Sequence, residues 1–286
     1  MFSVRSDGSG LKRLTNTGNV GGARLSPDGK RILYAEHHDG AAFNYYLMHA
    51  DGSRRQLVTT EPVTGRVCWA PAAGLLLYDH YDRERRAWSL MLASTRTAGQ
   101  AEIAFDNGAL RSVYLSPDGG EVWGVIKESG GPESLWYHPV GTDAWFRAET
   151  DVVLPDGSWL ESVSLSGRFV LIGSFEDDRR YLLLLERDPV GPVLRPVGRW
   201  PGGKAHVWSE DDRLAYLAAA GIMVFEPGDG EPRLFWPRDG LTDLLDWQDE
   251  EIFFAVRTPE EFLLAKTDGR DETELVHTEA DRRERR

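Results

Sequence analysis

The chain is 286 residues long and 41% hydrophobic, a composition that suits one large folded domain or two small ones and excludes a disordered polymer. Its formal net charge of −13 disfavours non-specific binding to nucleic acid or to an anionic membrane. The single cysteine, Cys68, rules out an internal disulfide framework and a cysteine-built zinc cluster, and no run approaches the roughly 18 apolar residues of a membrane span.

The opening Met1-Phe2-Ser3-Val4 has no apolar run of the kind that marks a signal peptide. The expected location is the cytoplasm for the chain as given, and the periplasm or exterior if the true start lies upstream. Phe2 to Arg5, the turn Asp7-Gly8-Ser9 and Leu11 to Thr15 read as the last two strands of a unit whose first two are missing. A fuller unit follows: Ala23 to Leu25, the turn Ser26-Pro27-Asp28-Gly29, the apolar run Ile32 to Ala35, then Tyr45 to Met48, Asp51-Gly52-Ser53 and Gln56 to Val58.

Variants of this unit recur to the C-terminus. Taking Pro27, Pro71, Pro117, Gly167, Ser209 and Gln248 as equivalent turn positions gives a spacing of about 39 to 50 residues. Each precedes a short apolar run: Ile32 to Ala35, Leu75 to Tyr78, Val122 to Ile126, Phe169 to Ile172, Leu214 to Leu217 and Ile252 to Val256. Bounded by turn residues, these runs read as strands buried on both faces. Two more strands follow in each unit, as in Trp88 to Leu92 with Glu102 to Phe105, and Phe262 to Ala265 with Glu274 to Val276. Tyr181 to Leu185 alone would pass for a helix, but its place in the repeat and Pro189 soon after favour a strand. The closing Arg282-Arg283-Glu284-Arg285-Arg286 reads as a solvated end.

Four short strands in forty-odd residues make one propeller blade. The expected fold class is all-β: a β-propeller of six blades of four antiparallel strands, seven being the alternative, with closure involving the N-terminal strands. Leu11 to Thr15 could replace a weak final strand, a short seventh blade could exist, or the start could lie upstream. In the Ser-Pro-Asp-Gly turn, Pro pre-sets φ, Asp bonds the local main chain and Gly takes positive φ. These are read as structural turns rather than a cation site.

Ser26-Pro27-Asp28-Gly29-Lys30 with Ile32 and Tyr34, Ser116-Pro117-Asp118-Gly119, and the Asp-Gly-Ser turns with Leu14-Thr15 or Leu57-Val58 downstream resemble the TolB-like propeller repeat, also described as WD40-like or PD40. The match is specific in the first and third units and rests on spacing and hydrophobicity in the others. The Gly-His and Trp-Asp signatures of WD40 repeats are absent. The resemblance implies a six- or seven-bladed bacterial propeller, commonly a protein-binding platform. On this reading residues 1–279 form a single propeller, with 1–19 as closing strands, 20–279 as six repeat units and 280–286 as a charged tail.

Strand order places the A–B and C–D turns at one end of each blade, and the B–C and inter-blade loops at the other. The second end gathers the variable residues, where function usually sits on a rigid scaffold. The candidate binding residues there are His37, His38, His80, Tyr81, Arg83, Arg85, Arg86, Glu176, Asp178, Arg179, Arg180 and Arg257. Inter-blade loops add Lys204 and Arg238-Asp239, among others. His37, His38 and His80 are the candidates for a transition-metal site, although adjacent His37 and His38 cannot both face inward from a regular strand. Oligogalacturonate lyases are propellers with a His-bound metal, so such a lyase is the main enzymatic alternative.

Propellers also gate prolyl-oligopeptidases, but no Gly-x-Ser-x-Gly elbow, Walker loop or dinucleotide fingerprint occurs. Ser166 is read as a turn serine. Trp69, Trp208 and Trp247 take equivalent positions before the A–B turn and are expected to pack between blades. Trp88, Trp123 and Trp136 are expected in the core, while Trp145, Trp159, Trp200 and Trp236 could offer an aromatic platform for sugar or peptide.

The expectation is a non-catalytic scaffold binding another protein or peptide, with no catalytic residue, no cofactor, no nucleic-acid partner and no membrane insertion. The alternatives are a metal-dependent polysaccharide lyase or other carbohydrate-active propeller, and the propeller part of a multi-chain peptidase or envelope complex.

Overall fold

The computed structural model describes residues 1–5, 7–26, 28–37, 42–59, 63, 67–82, 87–96, 100–103, 109–128, 130–189, 191, 193–203, 205–257 and 261–279. Among these residues every regular element is a strand. Strands β1 (Phe2–Ser3) and β2 (Lys12–Arg13) pair with each other. The first sheet holds β3 (Val20–Leu25), β4 (Arg31–His37), β5 (Phe43–His49) and β6 (Gln56–Leu57). The second holds β7 (Val67–Ala70), β8 (Leu75–Asp82), β9 (Ala87–Ser94) and β10 (Gln100–Ile103), and the third β11 (Ala109–Leu115), β12 (Glu121–Lys127), β13 (Glu133–Pro139) and β14 (Phe146–Arg147).

After the two-residue β15 (Glu149–Thr150), which adds a fifth strand at the edge of the fourth sheet, come that sheet's own β16 (Trp159–Val163), β17 (Phe169–Glu176), β18 (Arg179–Arg187) and β19 (Val193–Pro201). The fifth sheet holds β20 (His206–Trp208), β21 (Leu214–Ala218), β22 (Gly221–Phe225) and β23 (Arg233–Trp236). The sixth holds β24 (Leu241–Gln248), β25 (Glu251–Arg257), β26 (Glu261–Thr267) and β27 (Glu272–Glu279). β15 apart, sequential strands are neighbours, so each blade is a four-stranded meander, and the fold is a six-bladed β-propeller. The sixth sheet has its own outer strand, β27, and the N-terminal strands form a separate hairpin.

The second strand of each blade is the most apolar because it is covered on both faces. Val122, Val125 and Ile126 of β12 have no exposure, and Val170, Leu171 and Ile172 of β17 have none either. Continuous apolar runs, rather than alternating ones, are what double coverage selects.

The chain divides into two compact units, Met1–Ser3 with Lys12–Val163, and Val4–Leu11 with Ser164–Arg286. In the first unit, Leu33, Leu47 and Val63 pack against Leu76, Tyr78 and Ala93, and Leu77 and Leu90 pack against Val113, Leu115 and Val122. Met1 and Leu14 lie on Ile32, Tyr34 and Met48. In the second, Phe169, Leu171, Leu182 and Trp200 meet Leu214, Tyr216 and Phe225, while Ala215, Ile222 and Val224 meet Leu244, Ile252 and Phe254. Gly8 of the N-terminal turn lies beside β27, where a side chain would stand 3.2 Å from the Leu275 carbonyl oxygen.

At the A–B ends the recurring residues hold the turns. Ser26 Oγ donates to Asp28 Oδ1 at 2.6 Å and accepts the Arg31 N–H at 2.9 Å; Ser116 repeats this with Asp118 at 2.5 Å and the Glu121 N–H at 2.9 Å. The Ser26 hydroxyl holds the Asp28 carboxyl below the usual aspartate range. Gly29 and Gly119 take φ of 67° and 74°.

The degenerate blades keep this wiring. Ser164 Oγ accepts the Phe169 N–H at 3.1 Å, and Ser209 Oγ accepts the Arg213 N–H at 2.9 Å and donates to Asp211 at 2.5 Å. Asp212, with φ of 64°, stands where Gly29 does. The bonds therefore shift the equivalences drawn from sequence. The partners of Pro27 are Leu165 and Glu210, not Gly167 and Ser209, and the period tightens to about 44 to 48 residues over the first five blades.

The same ends are tied blade to blade within each unit. Arg31 Nη2 donates to the Pro71 carbonyl at 2.9 Å. Gly119 packs so closely on Ala73 that an added Cβ would stand 2.3 Å from Ala73 Cβ. In the second unit Ser166 Oγ donates to Asp212 Oδ2 at 2.6 Å, and Arg213 bonds Glu250 at 2.9 Å with its guanidinium 4.7 Å from the Trp247 ring centre. These ties set the A–B ends of neighbouring blades at a common level.

Candidate interaction face at the B–C ends

The candidate residues occupy varied settings. In the first unit His37 ends β4; its ring lies 4.5 Å from that of Phe43, and its N–H donates to the Asn19 carbonyl at 2.9 Å. His80 is half-buried within β8 opposite Ser89, and the main chain of Tyr81 pairs with Trp88. His38, Arg83, Arg85 and Arg86 lie outside the described residues. Neighbouring Glu36 accepts from Arg55 at 2.7 Å and from Thr17 at 2.9 Å.

In the second unit, the charged run around Asp177 and Asp178 is no open loop. Glu176 pairs with Arg179 and Phe175 with Arg180, leaving Asp177 and Asp178 as the reversal at φ of 49° and 61°. Both central residues at positive φ define the tight hairpin turn whose twist suits flanking strands. Sequence reading expected a loop here because neither residue is glycine; aspartate tolerates the left-handed region through local hydrogen bonding.

Glu176 accepts from Arg199 at 2.9 Å, and that guanidinium lies 4.3 Å from the Tyr181 ring centre. Arg179 is exposed, Arg180 is half-buried, and the Arg180 carbonyl accepts the Gly202 N–H at 3.2 Å. Exposed Arg257 lies 5.8 Å from the Phe262 ring centre, and Arg238 pairs with Glu272.

One site feature had no sequence signal. β17 and β18 are eight and nine residues long and β25 and β26 seven each, but β21 and β22 are five each. Counted from Phe169 and Arg213, whose N–H groups bond Ser164 and Ser209, the fourth-blade hairpin runs two residues further before it reverses, which lowers the B–C end of the fifth blade by about 7 Å relative to the fourth. The reversal from Ala218 to Gly221 thus forms the floor of a step. Phe175, 55% exposed, stands on the higher side.

The aromatic platform does not assemble. Trp200 is 6% exposed and donates to Glu231 at 2.9 Å, Trp236 donates to Glu272 at 3.2 Å, Trp159 donates to Glu161, and Trp145 packs on His138. The interblade expectation holds for Trp208, 6.2 Å from Phe169, and for Trp247, 5% exposed among fifth- and sixth-blade residues; Trp69 packs in the cluster shared by the first two sheets. Trp123 is buried, Trp136 is half-buried, and the Trp88 side chain lies outside the described residues. Ser166 is a turn serine, accepting the Arg168 N–H at 3.1 Å, and it also reaches the next blade through Asp212, while Ser164 accepts the Phe169 N–H. Among the described residues no three His, Cys, Asp or Glu side chains are placed to hold a metal ion.

No protein-family model matches the chain, and no curated protein matches it in sequence. Solved structures are similar in fold. An oligogalacturonate lyase in complex with manganese aligns with a TM-score of 0.65 at 14% identity, covering 86% of this chain and 76% of that one. A prolyl endopeptidase aligns at 0.56 and 14% identity, covering 93% of this chain and 43% of that one. TolB from Acinetobacter baumannii aligns at 0.55 and 14% identity, covering 95% of this chain. The chain spans 58% of that TolB, less than two thirds, as with the endopeptidase. Six four-stranded blades, Ser-Pro-Asp-Gly turns in the first and third of them and this structural likeness make the chain a TolB-like β-propeller in fold.

Proposed function

We propose that the protein is a non-catalytic interaction scaffold that binds another protein or peptide through the B–C ends of its blades. The supporting observation is a division of labour along each blade. At the A–B ends the recurring Ser and Asp side chains are committed to turns and to the next blade. At the B–C ends hairpin lengths are uneven, and a large apolar side chain, Phe175, stands exposed among charged residues. An aromatic framed by arginines is the composition of protein-binding hot spots. The platform role implied by the TolB resemblance agrees with this reading.

The test is capture from native lysate by immobilised protein, compared with two variants. Replacing Asp178 by Asn and Arg179 and Arg257 by Ala together should abolish capture of any specific partner at unchanged melting temperature. Replacing exposed Lys30 and Asp118 by Ala should leave capture intact. Capture that survives the first variant and fails in the second would sink the proposal.

A further inference from the structure

The first strand of each blade is the innermost in a propeller. On that inner edge of the first unit, Arg24 of β3 is exposed and makes no hydrogen bond or ion pair among the described residues, although the chain carries a net charge of −13. Arg31 and Arg55 of the same blade are engaged, on the Pro71 carbonyl and on Glu36.

Strand register brings two tyrosines towards Arg24. It pairs with Leu33, which packs with Leu76 and Tyr78 of the second blade, so Arg24 stands on the face turned to that blade. Two residues back on the same face, Gly22 pairs with Ala35, and Ala35 with Tyr45. One methyl group therefore separates Tyr45 from the inner edge, and a Cβ on Gly22 would meet nothing within 4 Å. Tyr45 packs on the cluster that Val67 and Trp69 of β7 also cover.

Tyr114 arrives from the other side of β7. Cys68 Sγ donates to the Val113 carbonyl at 3.6 Å, and Tyr114 packs on the cluster that holds Cys68, Leu77 and Val113. Arg24, Cys68 and Tyr114 stand two residues before Ser26, Ala70 and Ser116, at one level of three successive blades. Burial raises both phenols, Tyr114 to about 12, while the Arg24 charge pulls each the other way. Both stay protonated at neutral pH, and neither hydroxyl has a hydrogen-bond partner among the described residues.

We propose that Arg24, Tyr45 and Tyr114 bind the carboxylate of a small organic acid at this inner edge. The guanidinium fork takes the carboxylate oxygens, and the phenol O–H groups donate to the lone pairs that remain. One cation suits one negative charge. Asp79, whose carboxylate acts on Tyr45, makes a dianion such as inorganic phosphate the poorer guest. The site is separate from the B–C residues tested by lysate capture, so its failure leaves the scaffold reading untouched.

The experiment titrates the isotope-labelled full chain with benzoate, and with benzamide and inorganic phosphate for comparison, following the Arg24 Nε–H signal by NMR. The Arg24→Gln spectrum assigns that signal by its loss. Benzoate should shift it saturably, and neutral benzamide should not. Read on the Gly22 and Cys68 N–H signals, Arg24→Gln should weaken benzoate at least tenfold and Tyr45→Phe or Tyr114→Phe about threefold each. The exposed-site variant Lys30→Ala should leave affinity within twofold. Melting curves check that each variant is folded, and Arg24→Lys, which keeps the charge without the fork, should recover only part of the binding. No saturable shift, an equal shift with benzamide, tighter binding of phosphate, or benzoate affinity unchanged in Arg24→Gln would overturn the site.

Discussion

The two ends of each blade solve different problems with similar residues. At the A–B ends, Ser26, Ser116, Ser164 and Ser209 spend their hydroxyls on main-chain N–H groups, and Arg213 reaches across to the sixth blade. At the B–C ends, Arg179 and Arg257 are exposed, and hairpins stop at different heights. Charge alone therefore does not mark function in this chain: an arginine at one end is a strut, and at the other it is surface. The exception is Gly221, a B–C residue on which the structure depends.

That exception offers the largest test. Gly221 has φ of 128°, and a Cβ there would meet the Trp236 carbonyl oxygen at 2.2 Å and the Arg238 nitrogen at 2.8 Å. Gly221→Ala should destabilise the protein by about 3 kcal/mol in urea unfolding. A neutral result would mean the linkers move freely and the floor of the step is not fixed.

Next comes the serine series. Ser116→Ala removes a buried acceptor for the Glu121 N–H and should cost about 1–2 kcal/mol. Ser164→Ala and Ser209→Ala should cost the same if the hydrogen-bond equivalence is right. Ser166→Ala, which removes a blade-to-blade tie as well as an acceptor for the Arg168 N–H, should cost at least as much.

At the other end, Arg179→Ala and Arg257→Ala should each change stability by no more than about 0.5 kcal/mol. A larger loss in thermal unfolding would make these arginines struts too and erase the contrast.

The finest effect is in acid. Hydroxyl donation from Ser26 and Ser209 holds Asp28 and Asp211 below the usual aspartate range. A depressed folded pKa stabilises the fold above the unfolded aspartate value and loses that contribution as pH falls through the folded one. Carboxyl titrations followed by NMR should place both below an ordinary aspartate, and Ser26→Ala and Ser209→Ala should move each one up.

Blade number and strand order were legible because double burial leaves a continuous apolar run at a regular interval, as in Phe169 to Ile172. The turn register in the fourth and fifth blades was not. In the fourth blade Leu165 and Ser166 replace the Pro and Asp of the turn while Gly167 keeps its place, and in the fifth Asp212 takes the left-handed position that Gly29 fills in the first. The Asp177-Asp178 reversal hid for the same reason. The step over the fifth blade escaped because it depends on relative strand length, and Ala218-Ala219-Ala220-Gly221 carries no chemical flag. Of the proposed binding residues, Arg179 and Arg257 are exposed, Arg180 is half-buried, and His37 and His80 join no metal-ligand set among the described residues.

The turn hydrogen bonds also bear on how the chain ages. Asp-Gly peptides are the sequences most prone to isomerise, because the glycine nitrogen can attack the aspartate side chain and close a five-membered imide. Here the nitrogens of Gly8, Gly29, Gly52 and Gly119 are each committed to a carbonyl three residues back, at 2.8 to 2.9 Å. Asp7, Asp28, Asp51 and Asp118 are meanwhile held as acceptors of N–H groups further along the turn. Both reactants are occupied for as long as the blades stay folded. The fold thus slows chemical wear at the very dipeptides its turns require, and wear at those sites becomes a record of time spent unfolded.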